Sequence, residues 1–200
     1  MSVDKVILRA FLTTLLSIAV LVVFMFTALV CLFPQTMMVL TYDLGMEKSS
    51  IHFAESAYKR TDDVGYIAYA TEVAISDGNV DKIIYCGEKL IRDEDFDEYC
   101  RKKDETLQVS TSYEQYVYGQ VCVAMYENGE KDEAITRAFE LIGKDFPYNN
   151  AVLALIVAAN RADDGASVEM IKGKMNELQG ELLDDDAKAY LGEVLTRLEK

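Results

Sequence analysis

The chain has 200 residues, half of them hydrophobic, with 34 acids against 20 bases and a single histidine. A formal net charge of −14 argues against nucleic-acid binding, because phosphate contacts need clustered cations. The one such cluster, Arg101-Lys102-Lys103, is hemmed in by Glu98, Asp104 and Glu105. His52, alone between Ile51 and Phe53, is expected to be structural, and it leaves no material for a His-paired nucleophile or a multi-His metal site.

After a short N-terminus (residues 1–9), residues Ala10 to Phe33 run without a charge. At about 1.5 Å per residue a helix of that length covers roughly 36 Å, enough for a bilayer core of about 30 Å. The run exceeds a secretory h-region, and Leu32-Phe33-Pro34-Gln35 offers no small-residue cleavage site. Val30 stands before Cys31 where a lipoprotein signal needs a small side chain, so an uncleaved anchor over 10–33 is expected in preference to cleavage or lipidation. Lys5 and Arg9 flank the span on one side, and the first cation beyond it is Lys48, which predicts a cytoplasmic N-terminus and an outward remainder.

Residues 34–45 form a juxtamembrane segment that is apolar for a linker, with Met37-Met38-Val39-Leu40 at its centre. It is expected either to lie on the membrane surface or to pack on the first helices and stiffen the tether. Beyond Phe33 there are 33 acids against 18 bases, dispersed through apolar-periodic segments. That distribution fits the surface of a folded acidic domain spanning 46–200 rather than a disordered tail.

Within this domain, apolar residues recur at three and four, as in Ile135, Ala138, Phe139 and Ile142. The pattern predicts helices near 46–60, 64–77, 80–92, 95–104, 112–128, 131–145, 148–162, 166–179 and 185–199. Short turns separate them: Asp77-Gly78-Asn79, Asn128-Gly129-Glu130 and Asp163-Asp164-Gly165. The run Ala151 to Ala159 is apolar on every side and is expected to be a fully buried central helix.

The turns also open an internal repeat. Gly78, Gly129 and Gly165 are each followed four residues on by Lys82, Glu133 or Glu169 and six on by Ile84, Ile135 or Ile171. Seven residues before each glycine stands a small or short side chain (Thr71, Cys122, Ala158), as close helix approach requires. The spacings are 51 and 36 residues. The stretch Tyr116 to Asn149, with Gly129-Glu-Lys-Asp-Glu-Ala-Ile135, Phe139 and Phe146-Pro147-Tyr-Asn149, resembles the tetratricopeptide-repeat family, whose unit is about 34 residues. Pro147 falls one position late, and Met125 stands where the family usually has an aromatic. The resemblance implies an all-α fold, an α-solenoid of about four helical hairpins behind one N-terminal transmembrane helix. It also implies a concave groove lined by the first helix of each hairpin, which would hold Glu72, Tyr116, Val123, Tyr126, Val152 and Leu155.

Tyr116, Gly119, Val123 and Tyr126 share one helical face, and tyrosine combines apolar area with a polar tip, so this face reads as an anchor row or as packing between helices. Cys86, Cys100 and Cys122 lack metal-ligand spacing; Cys86 and Cys122 read as small core hydrophobes, with a bridge between them as the alternative. Asp93-Glu94-Asp95 and Asp184-Asp185-Asp186 lack EF-hand spacing and read as helix starts. No phosphate loop, cofactor motif or catalytic constellation is present, and no enzyme activity is expected. The sequence therefore predicts a membrane-anchored adaptor that binds a protein or peptide, with basic segments favoured by the acidic surface. A structural subunit assembled through its span is the alternative, and a cell-envelope enzyme a lesser one.

Overall fold

A computed structural model of the chain describes residues 3–107, 112–145, 150–181 and 185–198. Among these, all regular structure is helical: α1 (Val3–Leu32), α2 (Pro34–Asp43), α3 (Glu47–Thr61), α4 (Val64–Asp77), α5 (Val80–Ile91), α6 (Phe96–Leu107), α7 (Tyr113–Glu127), α8 (Lys131–Asp145), α9 (Asn150–Arg161), α10 (Gly165–Glu181) and α11 (Asp185–Leu198). The Phe146-Pro147-Tyr-Asn149 end of the repeat unit and Asp184 lie outside the described residues.

Helix α1 contains one stretch, Arg9–Leu32, long and apolar enough to cross a membrane, and none of it is buried against the rest of the protein. A single-residue break at Phe33 separates it from α2, with Pro34 at the first position of the new helix, where its missing N–H costs no bond. Helix α2 answers the question of the apolar linker. Pro34, Met37, Met38 and Thr41 are buried against α3, and the buried Ser50 donates its hydroxyl to the Met38 carbonyl at 2.9 Å. Tyr42 adds an edge-on contact with Tyr69 of α4, with ring centroids 6.1 Å apart. Val39 and Leu40 on the opposite face of α2, and Leu44 just past its end, stay exposed.

From α3 onward, successive helices pack on their chain neighbours except α5 and α6; α6 packs on α7 and α4, and α5 and α9 both pack on α7. Caps mark the starts. The side chains of Asp63, Asn79 and Ser112 accept from the amides of Gly65, Lys82 and Gln115. Asp93, in one of the two acidic triplets, accepts from the Asp95 amide at 3.0 Å just before α6. The core runs along the α4–α5–α7–α9 contacts, with Ile67, Val117, Val121, Ile135 and Leu155 buried. Cys86 and Cys122 are buried free thiols. His52, by contrast, is exposed and stands edge-on to Phe53 at 5.8 Å.

The turns correct the alignment of the third repeat. Gly78 and Gly129 occupy left-handed backbone, with φ of 66° and 93°, and in each turn the next amide returns to a buried carbonyl, Ala74 or Met125. In the third turn that role falls to Asp163 (φ 53°), followed by the Asp164 amide bonding to the Ala159 carbonyl at 2.9 Å. Gly165 already opens α10. The equivalent positions are thus Gly129 and Asp163, 34 residues apart, and the residue seven before Asp163 is Ile156 rather than a small side chain. Asp sustains the left-handed turn because its short polar side chain tolerates that region better than most.

Candidate functional site

The C-terminal ends of α4, α7 and α9 converge with the start of α5 around an open groove of about 920 Å³. Its floor is apolar: Ile75 and Ile83 from the α4–α5 hairpin, Val123 from α7, and Leu153, Ala154 and Val157 from α9. Val157 is 48% exposed, a large apolar side chain left in water on a helix whose opposite face is buried. Here the expectation of a fully buried α9 fails. Ala151, Val152, Leu155, Ile156 and Ala159 are buried, whereas the face carrying Leu153, Ala154 and Val157 opens on the groove.

Polar groups mark the rim: Gln120, Glu127, Lys131 and Arg161. Asp164 ties the rim together. It accepts from the Tyr126 hydroxyl at 2.6 Å and from Lys131 at 2.6 Å, and it caps α10 through the Ser167 amide at 3.1 Å. The bonds from Lys131, Tyr126 and Ser167 hold the Asp164 carboxyl well below its ordinary range, so it stays ionised. The same arrangement recurs at the other end of the domain, where the Tyr58 hydroxyl donates to Asp93 at 2.6 Å. That bond, with burial and the Asp93 charge, pushes the Tyr58 phenol up to about 12.

The six residues assigned to a groove from sequence separate into three groups. Val123 and Tyr126 line the groove. Val152 and Leu155 are buried and face the core, and Leu153, Ala154 and Val157 line the groove in their place. Glu72 and Tyr116 form a second cluster nearer the start of α7. There Glu72 accepts from the Tyr113 hydroxyl at 2.7 Å and pairs with Lys103 of α6, while Tyr116 stands 39% exposed beside Tyr113. An all-apolar helix carries no periodicity to say which face is open, so the α9 lining was not readable from spacing. Val157 could have been found only by knowing that nothing covers it. Lys103 was passed over because its sequence neighbours made it look like a solvated charge.

Compared with protein-family models, with curated proteins and with solved structures, the chain matches none.

Proposed function

We propose that the protein is a membrane-anchored adaptor whose helical domain binds a segment of another polypeptide in the groove between α4, α5, α7 and α9. The observation that carries this reading is the uncovered apolar face of α9: Val157 exposed beside Leu153 and Val123, framed by Gln120, Glu127 and Arg161. An apolar floor with a few polar groups at the edge is the composition of a recognition site, and an amphipathic segment would bury the floor while its polar face meets the rim. The 34-residue spacing of the Gly129 and Asp163 turns supports a tetratricopeptide-like stacking of hairpins, in which such a groove is the natural binding surface.

The anchor is α1. Its flanking Lys5 and Arg9 favour a cytoplasmic N-terminus and an extracytoplasmic domain. Because α2 packs on α3 and leaves Val39, Leu40 and Leu44 exposed, the tether would hold the domain close to the bilayer with this apolar edge at the interface.

The test is purification of the full chain from mild-detergent membranes with and without Val157→Lys. A charge at the groove floor should remove a bound polypeptide while the helical circular dichroism is unchanged. Exchanging residues 10–32 for an unrelated apolar span should leave it bound. The reverse pattern, loss with the exchanged span and retention with Val157→Lys, would instead make the protein a subunit assembled through its span.

A further inference from the structure

The cluster around Lys103 has the construction of a cation receptor. Tyr99 of α6 and Tyr113 of α7 meet edge to face with ring centroids 5.8 Å apart, and the Tyr116 ring stands 6.3 Å beyond Tyr113. The Lys103 ammonium lies 4.5 Å from the Tyr113 ring centroid and 5.7 Å from that of Tyr99, and it pairs with Glu72. Two electron-rich rings and one carboxylate around an ammonium, with a third ring beside Tyr113, match the chemistry that recognises alkylammonium groups. The pocket selects for the charged form. Burial opposes the charge on Lys103, yet the bond to Glu72 and its negative charge leave the amine more basic than an ordinary lysine. Burial and the bond to Glu72 also hold the Tyr113 phenol far above its usual range, so it remains a donor.

Two features distinguish this cluster from a closed structural ion pair. The Lys103 side chain is 24% exposed and that of Glu72 38%, so water reaches both partners of the pair. The third ring, Tyr116, is 39% exposed, and on its own helix it is followed by Gln120, Val123 and Glu127, which line the groove. From Tyr116 to Val123 along α7 is about 10 Å at the helical rise.

We propose that Glu72, Tyr99, Tyr113 and Tyr116 form a receptor for a lysine side chain of the polypeptide that occupies the groove, and that Lys103 fills this receptor in the free protein. The identity of the occupant rests on the groove reading; the cation site itself does not. The ligand is a lysine because the pocket's resident occupant is one, and because the acidic domain attracts basic segments. An arriving lysine displaces Lys103 into water, while its neighbours in the same segment reach the apolar floor. Lys103 thereby lowers the affinity for lone cations and leaves binding to segments that satisfy both places.

The test uses the full chain in maltoside micelles, with N-acetyl-lysine methylamide as the probe and its norleucine isostere as the control. Lys103→Ala should bind the lysine probe about tenfold more tightly than the unsubstituted chain, as expected where the internal lysine leaves the pocket free about a tenth of the time. Adding Glu72→Gln or Tyr116→Ala to that variant should abolish the gain, and the norleucine compound should not bind. In the unsubstituted chain, saturating probe should shift the Tyr113 and Tyr116 ring resonances together with the Lys103 ε-methylene. That readout does not depend on how Lys103→Ala folds. Equal affinity with and without Lys103, absent ring shifts, or tighter binding of phosphocholine than of the lysine probe would overturn the proposal. A loss of partner on Val157→Lys alongside a negative result here would leave the groove standing without the cage.

Discussion

Two tyrosines do the same work at opposite ends of the domain. Tyr58 and Tyr126 each place a hydroxyl 2.6 Å from an aspartate just before the third helix onward, Asp93 before α6 and Asp164 before α10. A hydrogen bond to an ionised acceptor contributes about 1.5–3 kcal/mol, less where water reaches it. Tyr126→Phe should therefore destabilise the protein by about 1–2 kcal/mol in urea melts, and an unchanged midpoint would show that the bond contributes nothing. The buried thiols supply a second residue-scale expectation. Burial pushes Cys86, Cys100 and Cys122 up to about 12 from an ordinary 9.0. The unfolded chain then loses these protons near pH 9 while the folded chain keeps them, so stability falls as pH rises through 9 toward 12. Urea midpoints at pH 8 and 10 should differ more in the native chain than in a triple Cys→Ala variant, where the raised phenols of Tyr58, Tyr113 and Tyr118 keep a smaller difference of the same sign. Their spacing left a Cys86–Cys122 bridge open, whereas both are free thiols. Nothing in it pointed to the Tyr–Asp pairs, whose partners are 35 and 38 residues apart.

At the scale of the element, helix positions were legible because apolar spacing and turn residues agree along most of the chain. The exceptions are physical. Segment 34–45 was expected to lie on the membrane surface or to pack on the first helices, and its helical form went unread because its apolar residues run together rather than at three and four; burial of Met37 and Met38 on α3 stabilises that helix. Hydrogen exchange should show α2 amides opening faster in Ser50→Ala, which loses the bond to Met38; identical protection would place the stability of α2 elsewhere. The third turn was misaligned by two residues, because a rule that favours glycine in left-handed backbone overlooks an aspartate that tolerates it. Small-residue contact between helices proved real at α4–α5, but its decisive member is Gly87. A Cβ there would stand 2.3 Å from the Val121 Cγ2 and 3.8 Å from Thr71. Gly87→Ala should cost about 1–3 kcal/mol by overpacking the α5–α7 contact, outweighing alanine's better helix propensity of about 1 kcal/mol. A stability gain on calorimetry would mean that Val121 gives way without cost.

At the scale of the whole molecule, an apolar helix whose membrane-length stretch is not buried is joined through a packed α2 to an acidic helical domain with an open apolar groove. The long apolar helix was legible in sequence, since a run of uncharged residues needs no tertiary context. The groove was legible only in part of its lining. Val123 and Tyr126 were placed on it, while Val152 and Leu155 turned inward, because which face of α9 is covered depends on neighbours distant in sequence. The central claim is that this groove, rather than the span, holds the partner. It is tested most directly by photo-crosslinking in native membranes, with benzoylphenylalanine at position 157 in one chain and at position 22 in another. A polypeptide adduct from position 157 that disappears on adding Val123→Lys is the predicted result. Adducts from position 22 alone would contradict it.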